Sequence, residues 1–153
     1  MERPKPKEDA PEVSDRALRA FVGYNMKRAF NVLQADLART LAPFGLRMLT
    51  FSALALIVEN PGLRPSQLAA RLSVERANVV VYVDRLEEAG WVTRAPCAED
   101  RRAYALQCTL AGRQVYDKAR AAVDAHDQRM LDGLSRAEIA AVHKALARIE
   151  GLG

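Results

Sequence analysis

Pro65-Ser66-Gln67-Leu68-Ala69-Ala70-Arg71-Leu72-Ser73-Val74-Glu75-Arg76-Ala77-Asn78-Val79-Val80-Val81-Tyr82-Val83-Asp84-Arg85-Leu86-Glu87-Glu88-Ala89-Gly90 decides the fold. Pro65 fits the first position of a short helix reaching Leu72, because its missing N–H would be unpaired there anyway. Glu75 to Ala89 reads as a second helix, stopped by Gly90. Only Ser73 and Val74 lie between them. Two helices joined by so tight a turn form a helix-turn-helix. Successive helical residues lie about 100° apart, so Val79, Val80 and Val81 cannot all face inward. Val79 and Val83 are expected inside.

On the C-terminal side, Trp91-Val92-Thr93-Arg94 and Ala103-Tyr104-Ala105-Leu106-Gln107-Cys108 have strand character and flank a polar, charged segment. That pattern predicts a β-hairpin with a long tip, carrying Asp100, Arg101 and Arg102. Thr109 can cap a long helix from Leu110 to Leu131. Ser135 and Glu138 have the spacing of a capping box. They open a last helix whose apolar face is Ile139, Val142, Leu146 and Ile149.

On the N-terminal side, Phe51-Ser52-Ala53-Leu54-Ala55-Leu56-Ile57-Val58 is apolar nearly all round. A helix over 47–59 should therefore be the buried centre of the domain. Before it, Leu18, Phe21, Val22, Met26, Phe30, Leu33, Leu37 and Leu41 recur at three- and four-residue steps. They predict one helix from Ser14 to Leu41, capped by Ser14 or Asp15. Pro43 and Gly45 end it. The opening residues, rich in Pro, Lys and Glu, read as a disordered tail. The expected organisation is a tail at 1–13, an N-terminal dimerisation helix at 14–44, a winged helix-turn-helix at 45–109 and C-terminal dimerisation helices at 110–153. The fold class is mostly α with a small β-hairpin wing.

The composition fits a globular chain: 153 residues, half apolar and 27% charged, with a net charge of +4. Residues 64–109 hold seven Arg against six Asp plus Glu. Any field that attracts a polyanion must come from the placement of the arginines. Two cysteines, Cys97 and Cys108, make no disulfide framework, which favours a reducing, cytoplasmic setting. No apolar run approaches the ~18 residues of a membrane span. Nor is there a signal-peptide core at the N-terminus.

A helix of this exposure fits the DNA major groove, and a hairpin beside it can reach the flanking minor groove. Arginine suits a narrow minor groove, whose potential is strongly negative. A carboxylate two residues before Arg102 can hold its guanidinium in one geometry. Alone, two adjacent arginines in a turn are better explained as solvated surface charges. The preceding helix-turn-helix favours DNA.

Leu68-Ala69-Ala70-Arg71-Leu72, Val83-Asp84-Arg85-Leu86-Glu87-Glu88-Ala89-Gly90-Trp91-Val92, Asp100-Arg101-Arg102 and Thr109-Leu110-Ala111-Gly112-Arg113 together resemble the MarR family of bacterial regulators. The resemblance covers nearly the whole chain. It implies a homodimer on pseudo-palindromic operators, usually repressing, and released by a small molecule. Carried over by position, Arg102 would enter the minor groove, Asp100 would orient it, and Arg101 would lie at or near a phosphate. Arg76, Asn78, Val80 and Val81 would occupy the exposed face of the recognition helix. Many relatives have Ser or Thr, then Arg, where this chain has Val80-Val81. Valines cannot hydrogen-bond a base edge but can touch thymine methyls. Direct readout would then rest on Arg76 and Asn78. Arg85 is either a phosphate contact or a salt-bridge residue. Ser66 and Gln67, at a helix start, are candidate phosphate donors.

A C2 dimer is expected from the apolar terminal helices, through Leu18, Ile139, Val142, Leu146 and Ile149. The resemblance also implies an effector pocket between the dimerisation helices and the DNA-binding lobe, at Tyr24, Met26, Arg28, Phe44, Met48, Phe51 and His126. Core packing is the alternative role for each apolar member. Aromatics and thioethers near arginines suit an apolar anion, such as an aromatic carboxylate or its CoA thioester. No catalytic motif appears and no cofactor is expected. His126, Asp127 and His143 have no metal-ligand spacing. Two rival readings stand beside the regulator: a winged helix used as a protein-interaction module, and a thiol-based redox sensor. For the second, Cys97 would be activated by Arg94, Arg101 and Arg102.

Overall fold

The structure, a computed structural model, describes residues 13–97 and 104–151. The chain forms two compact units, residues 1–33 and 34–153.

In the first unit the expected continuous helix from Ser14 is broken. A 3-10 turn spans Leu18–Ala20, Phe21 is extended at φ −97° and ψ 126°, and helix α1 starts only at Val22, running to Leu41. Side chains that compete for the backbone explain the break. The Asn25 amide donates to the Arg19 carbonyl at 2.8 Å and to the Phe21 carbonyl at 3.0 Å. Asp15 caps no helix. Its carboxylate accepts from the Tyr24 hydroxyl at 2.7 Å and from Arg19 Nε at 2.8 Å.

The second unit takes the end of α1 and a 3-10 turn at Ala42–Phe44. It continues with α2 (Met48–Glu59), α3 (Pro65–Leu72), α4 (Arg76–Glu88), β1 (Val92–Pro96), β2 (Tyr104–Cys108), α5 (Leu110–Met130) and α6 (Arg136–Glu150). α2 is the centre, as its composition requires: Ala53, Leu54 and Ile57 have no exposed surface. Around it pack Leu41, Leu68 of α3, Val79, Val83 and Leu86 of α4, Val92 and Leu106 of the hairpin, and Tyr116 and Ala119 of α5. Phe51 stacks on Tyr116 with ring centroids 6.0 Å apart.

The α3–α4 turn is closed by Ser73 in the left-handed conformation, φ 53°. The Ser73 and Val74 N–H groups return to the Ala70 and Ala69 carbonyls. β1 and β2 are antiparallel, with Val92 opposite Cys108, Arg94 opposite Leu106 and Pro96 opposite Tyr104. Leu63 adds a short third rung against Leu106. Thr109 joins the hairpin to α5: its hydroxyl donates to the Gly90 carbonyl at 2.7 Å and accepts the Gly112 N–H at 3.0 Å. The Ser135–Glu138 capping box forms as its spacing predicts. No residue of α6 is buried in the protomer. Among the described residues, no single helix is long and apolar enough to cross a membrane.

Candidate nucleic-acid interface

α4 divides its valines by helical geometry. Val79 and Val83 are 1% exposed, whereas Val80 and Val81 stand 46% and 47% exposed. Arg76 and Asn78 are exposed beside them. The outer face of α4 therefore offers one guanidinium, one carboxamide and two isopropyl groups. This is a polar pair for base edges beside an apolar pair for thymine methyls.

Ser66 and Gln67 are exposed in the first turn of α3. Gln67 already has a local task, since its Oε1 accepts the Arg64 N–H at 2.9 Å. Arg85 projects from the C-terminal half of α4, and no acidic partner meets it among the described residues. Asp100, Arg101 and Arg102 lie outside the described residues.

The base of the hairpin holds a contact that the sequence reading did not single out. Arg94 of β1 donates from Nη1 to Glu87 and from Nη2 to Asp84, both on α4. Its guanidinium also lies over the Tyr104 ring, 5.4 Å from the centroid. The signal was present in the sequence. Residues of a strand alternate between faces, and Arg94 follows the buried Val92 by two. It therefore lies on the core face, opposite two carboxylates one helical turn apart. Cys97 and Cys108 are free and half-buried. Arg64 Nη2 lies 3.8 Å from Cys97 Sγ, whereas Arg94 is turned toward its carboxylates. Burial pushes the Cys108 thiol up.

On the other side of α4 is a cavity of about 610 Å³. Gln34, Ala38 and Ala42 line it from one side, the 45–50 segment from a second, and Tyr82 and Arg85 of α4 from a third. Its two charged lining residues are Arg47 and Arg85, and no carboxylate is among its lining residues. Of the residues expected at an effector pocket, Met48 lines this cavity. Phe44 and Phe51 pack on the core. His126 is buried, with Nδ1 2.8 Å from Asp36 Oδ2. The acceptor is a carboxylate, so the proton sits on Nδ1. Asp36 also meets Arg39 and Arg129, and the His126 and Arg39 hydrogen bonds hold its carboxyl at about 2. Tyr24, Met26 and Arg28 belong to the first unit. The Tyr24 hydrogen bond to Asp15 pushes its phenol up. Gln34, Arg47, Thr50 and Tyr82 were missed, because nothing in their spacing marks a cavity wall. Among the described residues, no group of three or more His, Cys, Asp or Glu is placed to hold a metal ion.

The family model for the MarR family matches residues 44–103. A regulatory protein assigned to the hcr operon of Thauera aromatica is 32% identical over 131 residues, 85% of this chain and 79% of that one. The chain belongs to the MarR family. Two solved structures of relatives fix the fold of this MarR-family chain. One is the transcriptional repressor CouR bound to a 23-mer DNA duplex: TM-score 0.86, 32% identity, 91% of this chain and 99% of that one. The other is CouR from Rhodococcus jostii RHA1 bound to p-coumaroyl-CoA: TM-score 0.80, 30% identity, 88% of this chain and 95% of that one. The protein is thus a transcriptional regulator with a DNA-binding winged helix. The family is one of regulators rather than enzymes.

Proposed function

We propose that this regulator is a homodimeric repressor that binds a pseudo-palindromic operator and is released by an aromatic carboxylate or its CoA thioester. Each protomer would place α4 in the major groove, with Arg76 and Asn78 reading base edges and Val80 and Val81 against thymine methyls. Ser66 and Gln67 would hold phosphates at the start of α3. Arg102 would enter the minor groove with Asp100 as its orienting partner, and Arg101 would reach a phosphate. The apolar face of α6 supports the dimer: Val142, Leu146 and Ile149 are exposed in one protomer. Leu18 and Ile139 would join that interface. The two recognition helices would then lie about one DNA turn apart, ~34 Å.

One observation carries the effector assignment. The cavity pairs two guanidinium groups with apolar walls from Ala38, Ala42, Leu46, Met48 and Leu49, and has no carboxylate in its lining. A charge-assisted hydrogen bond from Arg to a carboxylate or phosphate is among the strong polar contacts available to such a site. Its volume falls in the ordinary range for small-molecule sites. α4 supplies both Arg85 in the cavity wall and Asn78 on the outer face. An occupant that shifts α4 therefore shifts the reading residues. The relative CouR, which holds p-coumaroyl-CoA, agrees with this ligand class. The test is calorimetry with aromatic acids and their CoA thioesters, on wild type and on Arg47→Ala/Arg85→Ala. Binding to wild type, weakened in the variant, is expected. No heat with any member of the panel contradicts the assignment.

A further inference from the structure

We propose that Arg94 is a positioning residue for DNA recognition, fixing the angle of the β1–β2 hairpin on α4. This rests on the DNA-binding reading above and concerns how that surface is held.

The covalent link between α4 and β1 is short, Ala89-Gly90-Trp91, and Gly90 is left-handed at φ 73°. Packing at the hairpin base comes from Val92 and Leu106, both buried near the start of the wing. On the same face Arg94 stands opposite Leu106, with Tyr104 two residues further along, and there the apolar core ends. At that point one guanidinium takes three contacts at once: Glu87 through Nη1, Asp84 through Nη2 and the Tyr104 ring on its face. Its Nε is buried and has no hydrogen-bond partner among the described residues. These contacts hold the group between helix and hairpin, with 24% of its side chain exposed.

Charge points the same way. Asp84 and Glu87 stand one turn apart on a helix whose outer face meets a polyanion, and like charges so placed repel each other. Arg94 offsets both. In doing so it withdraws a cation from a segment that holds seven Arg against six acids. A phosphate-binding arginine would be left free. Arg94 is instead committed to the joint between the two elements that must fit two grooves at once. Only arginine can do this, because a planar fork spans two carboxylates and stacks on a ring, whereas lysine is a point charge.

The experiment uses the full-length protein and a duplex that the wild type selects from a random pool, with a scrambled duplex as reference. Asp84→Ala/Glu87→Ala removes two negative charges from the DNA-binding helix, so simple electrostatics predicts tighter binding. The positioning role predicts the opposite. The selected duplex should bind at least about tenfold more weakly, one step of 1.4 kcal/mol, with scrambled-duplex binding no weaker. Arg94→Lys, which keeps the charge and loses the fork, should show the same loss of discrimination. A drop in folded fraction would instead lower both affinities together, and circular dichroism checks it. Wild-type or tighter binding of the selected duplex by the acid-free variant overturns the proposal. So does full discrimination by Arg94→Lys. If the wild type selects no duplex, the DNA-binding reading itself falls. If it selects one and the variants match it, only the role of Arg94 falls.

Discussion

Gly112 sits where α5 meets the loop after α4, and its replacement by alanine is the sharpest test of how the regulator is assembled. An alanine Cβ there would lie 2.1 Å from the Trp91 carbonyl oxygen and 2.9 Å from Cys108 Sγ. The first obstacle is backbone and cannot swing aside, so α5 would have to retreat by more than 1 Å to reach ordinary contact distance. That same oxygen accepts the Thr109 N–H at 3.0 Å, and Thr109 caps α5. Overpacking costs about 1–3 kcal/mol, and a backbone obstacle belongs at the upper end. Loss of the Thr109 bond adds about 1 kcal/mol. The better helix propensity of alanine offsets about 1 kcal/mol. The net loss is about 3 kcal/mol. For a chain of this length each kcal/mol moves the midpoint by about 2–4 °C, so the melting temperature should fall by about 6–12 °C. The assay is a thermal melt followed by circular dichroism at fixed protein concentration. Gly23→Ala is the control, because Gly23 has open space around its Cβ position and lies within α1. It should hold or raise the midpoint. A Gly112→Ala protein that melts with the wild type would refute the reasoning.

Other perturbations reach the remaining parts. Asn78→Ala should weaken binding to the selected duplex by about 1–3 kcal/mol while leaving the melting temperature unchanged, as anisotropy and a thermal melt would report. Leu146→Glu puts a charge on the apolar face of α6 and should convert a dimeric mass in light scattering to a monomeric one. The Asp36 carboxyl has a folded value of about 2, below the ordinary 3.8, because His126 and Arg39 bond its ionised form. A depressed carboxyl pKa favours the folded state above the unfolded value and loses that contribution as pH falls through the folded one. Wild type should therefore be more stable than Asp36→Asn above 3.8, and denaturant melts should show the gap closing as pH falls to about 2.

Much of this architecture was legible because local signals agreed with the global pattern. The start of α3 at Pro65, the cap at Thr109 and the Ser135–Glu138 box each name a helix end through one chemical feature. The split between Val79 and Val81 followed from a 100° step alone. The break at Phe21 was not legible. The apolar stripe continues across it, and what interrupts the helix is the carboxamide of Asn25 taking two backbone carbonyls. Tertiary pairs were equally hidden. His126 meets Asp36 from 90 residues away, and neither position announces the other. Arg94 read as one more cation near Cys97, and only the three-dimensional pairing reveals that it spans Asp84 and Glu87. The cavity lining was the least legible, since Gln34, Arg47 and Tyr82 converge from separate elements and share no spacing.

The central claim is that α4 and the hairpin read a DNA sequence as a pair of half-sites. It is tested most directly by selecting duplexes from a random pool, then measuring the affinity of the recovered sequence across a range of salt. The account predicts an inverted repeat with half-sites about one helical turn apart. It also predicts an affinity that falls steeply with salt as several phosphates are engaged. No enriched sequence, or an affinity indifferent to salt, would contradict it.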